Sequence, residues 1–225
     1  MTTVLTIFPN PPCVLVKGFN TLNIENFSLF WKIVNGIKTK KENSLVLGRN
    51  NKVLDLTKDV IFAGDLPSCD SPKIFYNRQI LKKVENSISD ENKHNLYILD
   101  REMRKIITRE IFDFGLPLEV STDWSINDII KMMDLSYNVR HNNMPVEILG
   151  EFIDLSFFLS DRRIVLFTNL SNYLTETDRK QVAVECQSKE VTILSINLVR
   201  GSEYKSGAEE NVIFIDNDFT MFEVH

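Results

Sequence analysis

The segment that decides the fold opens with Ile164-Val165-Leu166-Phe167, continues through Thr175 to Ser188, and ends at Val191-Thr192-Ile193-Leu194-Ser195-Ile196. Both flanking runs are apolar without alternation, the pattern of strands covered on both faces. Between them Thr175 stands three residues before Asp178, the spacing of a reciprocal helix N-cap. Strand, helix and strand in this order define a βαβ unit, whose strands are parallel and whose crossover is right-handed. Val212 to Ile215 offers one more strand. Towards the other end, Val4 to Phe8 reads as a strand closed by Pro9, Pro11 and Pro12, residues that cannot continue a sheet interior. Val14 to Lys17 and Thr21 to Ile24 are further short extended segments around Gly18. Ile24, Phe27, Phe30, Trp31 and Val34 then fall at helical spacing, and the helix stops near Gly36. Leu45 to Leu47 and Val53 to Leu56 flank the turn Gly48-Arg49-Asn50-Asn51-Lys52, and Val60 to Ala63 is another strand.

From Ser71 to about Ser160 the alternation disappears. Ile74, Leu81, Val84 and Ile88 form one helical stripe, and Leu96, Leu99, Met103, Ile106 and Ile111 form a longer one. Ser125 with Asp128 suggests a second cap, before Ile126, Ile129 and Ile130. Pro145 opens a fourth helix with Val146, Leu149, Phe152 and Ile153 on one side. The expected architecture is therefore α/β: a sheet-forming domain from residues 1–65 and 160–225, with an inserted helical domain at 66–159.

The 225 residues are 43% hydrophobic and 25% charged, ordinary for a globular protein, with 15 phenylalanines to fill the core. A net charge of −5 does not suggest a nucleic-acid binder by itself, so such a partner has to be met by segregated cations. Cys13, Cys69 and Cys186 are too few and too scattered for a disulfide framework or a zinc knuckle, and read as reduced thiols. The N-terminal apolar stretch lacks a basic region and ends at Pro9, so it reads as a strand and not a signal peptide. No apolar run approaches the roughly 20 residues a bilayer requires. A cytoplasmic protein without membrane contact is expected.

Motifs for catalysis are missing from the sequence. No glycine begins a G-x-x-x-x-G-K-[ST] or G-x-G-x-x-G loop; Lys17-Gly18 comes nearest and lacks both the spacing and the Ser or Thr for magnesium. There is no G-x-S-x-G elbow and no H-E-x-x-H pair. Asp216 and Asp218 are conceivable carboxylates for a nuclease metal, but Asp and Asn at a strand end are ordinary turn residues. Two features stand out. Lys38, Lys40, Lys41, Arg49 and Lys52 place five cations within 15 residues, opposed only by Glu42. They make either a phosphate-facing patch or a solvated helix end favoured by the macrodipole. Asp113, Glu119, Asp123 and Asp128 gather around Gly115 and Pro117, where a bent segment offers oxygen ligands to a hard cation. The alternative is that Asp123 and Asp128 serve the next helix N-terminus.

Three stretches carry a resemblance. Leu22 to Val34, Val60 to Leu66 and Ile164 to Thr175 resemble, in order, segments of the accessory adaptation protein of subtype II-A CRISPR systems. The resemblance implies a head similar to phosphate-loop ATPases with a degenerate loop, and an inserted helical leg. It implies a homotetrameric ring without enzymatic activity, binding calcium and holding double-stranded DNA by its ends. Such proteins support spacer acquisition, the adaptation step of antiviral defence, beside the integrase complex and the RNA-guided effector nuclease. The family's calcium region corresponds to Glu119, Asp123 and Asp128, and the head's DNA-facing cations to Lys38, Lys40, Lys41, Arg49 and Lys52. Two other readings remain: an enzyme acting through an unrecognised nuclease or nucleotide site, and an adaptor that docks proteins and never touches DNA.

Overall fold

The computed structural model describes residues 2–41, 45–69, 71–135, 137, 144–200 and 210–224. In chain order the first elements are β1 (Thr3–Thr6), β2 (Cys13–Leu15), β3 (Phe19–Ile24), α1 (Phe27–Lys38), β4 (Val46–Arg49), β5 (Lys52–Val53) and β6 (Val60–Asp65). Three helices follow, α2 (Pro72–Ser87), α3 (Asp90–Phe112) and α4 (Ile126–Met132), then α5 (Pro145–Leu159). The chain ends with β7 (Ile164–Thr168), α6 (Glu176–Ser188), β8 (Ile193–Leu198), β9 (Asn211–Ile215) and β10 (Met221–Val224). They form two compact units, one of Met1–Pro72 with Arg140–His225 and one of Lys73–Val139.

In the first unit β3 is buried along its whole length. It pairs in parallel with β8 on one side and β9 on the other, in a six-stranded sheet ordered β10-β9-β3-β8-β7-β6. Only β10 runs antiparallel within it. Residues two apart share a face, and the two faces meet different partners. Leu22, Ile24, Ile164, Leu166, Leu194, Ile196, Ile213 and Ile215 join the α1 residues Leu29, Phe30, Ile33 and Ile37 in one cluster. The same cluster takes in Leu5, Leu15 and Leu47 from a small antiparallel sheet ordered β2-β1-β4-β5. On the other face α6 contributes Val182, Ala183 and Cys186, and the Phe152 ring of α5 meets Phe167 edge-on at 5.2 Å. β7, α6 and β8 form the expected βαβ unit with parallel strands. Thr175 and Asp178 close the reciprocal cap, the Thr175 amide donating to the carboxylate at 2.9 Å and the Asp178 amide to Oγ1 at 3.2 Å.

The fourth expected helix belongs to this first unit and not to the inserted one. The reason is burial: Leu149, Phe152, Ile153 and Leu155 of α5 are core residues, and α5 packs on α6. Glu151 of the same helix is also buried, while Asp154 pairs with Lys189 at 2.5 Å.

The second unit is helical. Ile126, Ile129 and Ile130 of α4 are buried, and Tyr97 meets Trp124 edge-on at 5.5 Å. The cap expected at Ser125 does not form: its side chain makes no cap bond, and Asp128 instead pairs with Lys131 at 3.5 Å. The α3 stripe also departs from expectation. Leu99 and Ile106 are 59% and 60% exposed, and Met103 is exposed between them. Their helical spacing is apolar, but among the described residues nothing covers much of them.

None of the three cysteines is joined in a disulfide. Burial pushes the Cys13 thiol up to about 11 and the Cys186 thiol higher still, with neighbouring Glu223 and Glu185 adding to the respective effects. Thiolate, not thiol, is the nucleophile. In the native protein an iodoacetamide dye is therefore expected to label Cys69 first, with Cys13 and Cys186 reacting only on unfolding, as peptide mass analysis would show. Rapid native labelling of Cys186 would contradict the packing of α6. Among the described residues no helix is long and apolar enough to cross a membrane.

Candidate nucleic-acid interface

Three of the five cations read from sequence sit on the end of α1. The Lys41 amide donates to the Gly36 carbonyl at 2.8 Å and the Lys40 amide to Ile37 at 3.1 Å, while Lys40 adopts φ 58°. This paired closure is a Schellman motif with Lys40 at its left-handed position. Lys38, Lys40 and Lys41 are all exposed there, beside carbonyls whose partial charge favours cations. A side chain at that left-handed position costs about 1 kcal/mol relative to glycine. Lys40→Gly is accordingly expected to raise stability by up to about 1 kcal/mol in urea unfolding, while removing one charge from the group. Destabilisation would show that the Lys40 side chain makes a contact worth more than the strain.

The face of α1 that carries Lys38 also carries Phe27 and Trp31, exposed at 64% and 62%. The sequence reading placed these rings on the buried stripe. The buried face instead runs through Leu29, Phe30, Ile33 and Ile37. Apolar residues occur on both sides of this helix, so periodicity alone could not select the face.

Arg49 and Lys52 lie elsewhere, on the β4–β5 hairpin. Asn50 and Asn51 both have positive φ, 51° and 61°, which gives the two-residue turn that matches strand twist. Lys52 is exposed. The Arg49 guanidinium donates through Nε to Thr3 Oγ1 at 3.3 Å and through Nη1 to the Arg162 carbonyl at 2.9 Å. The five cations thus occupy two elements, three on a helix end and two on a hairpin.

The carboxyl edge of the parallel sheet is where open α/β folds usually bind ligands. Here only Glu25 and Asn26 separate β3 from α1, and Asn26 caps the helix by accepting the Leu29 amide at 3.0 Å. An eight-residue phosphate loop has no room in that turn. Gly18, the nearest glycine candidate, precedes a strand rather than a helix. Neighbouring strand ends hold a buried polar network: Asn197 Nδ2 donates to Asn23 Oδ1 at 3.0 Å, and Ser195 Oγ to Asn197 Oδ1 at 2.8 Å. Tyr173 donates to both Asp65 oxygens at 3.1 Å, and its hydroxyl is pushed up by burial and by that carboxylate. Asp216 accepts the Asp218 and Thr220 amides at 2.9 and 2.8 Å, so its carboxylate organises the β9–β10 turn.

The carboxylates expected to hold calcium do not converge. Among the described residues no group of three or more His, Cys, Asp or Glu side chains could hold a metal ion. Glu119 and Asp123 are exposed and Asp128 faces Lys131. As placed, Glu119, Asp123 and Asp128 do not fit a single-chain calcium site. The surrounding segment is instead gripped by Arg104, which bonds Asp100 at 2.6 Å, the Ser121 carbonyl, and the Asp123 carbonyl at 2.9 Å. A cavity of about 610 Å³ opens beside it, with Arg101, Lys105 and Arg109 on its wall. Sequence reading missed these cations because they are spread one turn apart among apolar and acidic residues of α3, not clustered along the chain.

A family model described as CRISPR-associated protein (Cas_Csn2) matches residues 38–219, most of the chain. The protein is a CRISPR-associated protein with a mixed α/β fold. It belongs to the Cas_Csn2 family. No curated protein matches its sequence. The crystal structure of Stu0660 of Streptococcus thermophilus is similar at a TM-score of 0.56 with 9% identity, covering 100% of this chain and 76% of that one. At that identity the likeness speaks for the fold alone. The ADP conformation of MJ1267, an ATP-binding cassette of an ABC transporter, is a weaker match at 0.40, with 11% identity and coverage of 89% and 81%.

Proposed function

We propose that the protein is a non-catalytic ring that holds double-stranded DNA by its ends, without sequence preference, and supports CRISPR spacer acquisition. The observation that carries this reading is the helix end of α1, where a backbone-fixed cap presents Lys38, Lys40 and Lys41 to solvent in a protein of net charge −5. Cations fixed this way attract phosphates and do not read bases, so binding depends on salt and not on sequence. The head reads as a phosphate-loop-ATPase-like domain whose loop has shrunk to Glu25-Asn26. The uncovered stripe Leu99, Met103 and Ile106 supports self-association into a homotetramer, because apolar surface of that kind is stabilised by a second copy. Calcium belongs to the proposal as a dependence of the assembly, with ligands other than Glu119, Asp123 and Asp128 of one chain. The integrase complex and the effector nuclease are the partners the family reading brings, in the cytoplasm.

Light scattering with and without calcium, joined to gel shifts, tests this. Four copies per particle are expected, with linear duplex bound and covalently closed circles ignored, since a closed ring loads only from a terminus. A monomer that ignores linear duplex would replace the ring by an adaptor docking through Phe27 and Trp31. Cleavage of labelled DNA with magnesium, abolished by Asp218→Ala, would make it a nuclease.

A further inference from the structure

A second basic feature lies at the amino edge of the parallel sheet, opposite the edge where such folds usually bind ligands. Segments far apart in sequence meet there: Lys17 before β3, Arg49 at the end of β4, Arg162 and Arg163 before β7, and Glu190 and Thr192 before β8. They enclose a cavity of about 330 Å³. Two of its four cations are neutralised within the wall. Arg163 pairs with Asp161 at 2.6 Å, and Lys17 pairs with Glu190. Among the described residues Arg49 and Arg162 face no carboxylate partner, so the cavity keeps two uncompensated positive charges. Arg49 is also fixed in place, because Thr3 Oγ1 and the Arg162 carbonyl take two of its five N–H groups and leave the others for a ligand.

We infer that this cavity is a phosphate-group site, with Arg49 as its oriented anchor and Arg162 as the second guanidinium. Planar guanidiniums match phosphate oxygens in pairs, and a phosphate monoester carries close to the two negative charges the cavity leaves unmet. The cavity accommodates one phosphate with its first attached group. It does not involve the α1 lysines, so it stands or falls separately from the ring. The phosphate could be carried by a free anion or by a duplex terminus, and these are separable.

The test uses the full chain and Arg162→Gln, whose side chain is exposed and whose backbone carbonyl still holds Arg49. Thermal unfolding is followed in inorganic phosphate against potassium chloride of equal ionic strength. Phosphate at about ten times its Kd is expected to raise the native Tm by roughly 3–5 °C and to leave the variant unmoved. Equal shifts in both proteins, or none in either, overturn the site. In a second arm, linear duplexes with 5′-phosphate or 5′-hydroxyl ends are compared by gel shift. Several-fold tighter binding of the phosphorylated duplex, lost in Arg162→Gln, assigns the site to DNA ends; equal binding with the Tm effect intact assigns it to a free phosphate. If neither duplex binds while the Tm effect persists, the DNA-end reading fails and the phosphate site remains.

Discussion

The chain carrying Lys38→Glu, Lys40→Glu and Lys41→Glu together is expected to lose linear-duplex affinity by about 100-fold near physiological salt. Each phosphate contact contributes close to one unit to the slope of log affinity against log salt, so the slope should shallow by about 3. The three side chains are exposed and the closure of α1 runs through backbone groups, so far-UV circular dichroism should not change. Trp31, exposed on the Lys38 face of the same helix, is a built-in reporter: its fluorescence should respond to duplex in the native chain and not in the variant. Unchanged affinity would remove these lysines from the interface and leave the fold as described.

The largest stability effect is expected at Phe152. Its ring is fully buried on α5 and meets Phe167 of β7 edge-on. Phe152→Ala removes that aromatic contact and opens a cavity between helix and sheet, which costs about 3–5 kcal/mol. Urea unfolding should show the loss as a lower midpoint with little change in slope. Phe157→Ala, on the exposed side of the same helix, should change the unfolding free energy by about 0.5 kcal/mol or less. A small effect at Phe152 would mean that α5 does not cap the sheet.

The sheet was the legible part of the sequence. Uninterrupted apolar runs such as Ile164 to Phe167 have no alternative to double-sided burial, and Thr175 with Asp178 gave the start of α6 directly. Faces and owners were less legible. Phe27 and Trp31 have the same helical spacing as buried residues, and only the position of the sheet tells which side of α1 turns inward. The stripe on α3 misled for a related reason: periodicity marks an apolar face but not whether its cover comes from the same chain. The α5 helix looked like the inserted helices, although its greater apolar content, with Leu149, Phe152, Ile153 and Leu155 all buried, was a usable sign. Strand β10 was overlooked, being short and interrupted by Glu223. Of the candidate site, sequence clustering exposed the α1 lysines. It could not reveal the cavity at Arg49 and Arg162, whose walls come together only through folding.

The strand order has a consequence for synthesis. Phe19 pairs with Ile193, Asn20 with Asn211 and Val60 with Ile164, so every parallel pairing in the large sheet needs residues from the final third of the chain. While the ribosome is still working, β3 and β6 have no neighbours, and they must wait as unpaired apolar segments through translation of the entire inserted unit. The local helices can form during that interval. The sheet closes late and over long loops, which makes the nascent chain slow to mature and dependent on protection of its early strands.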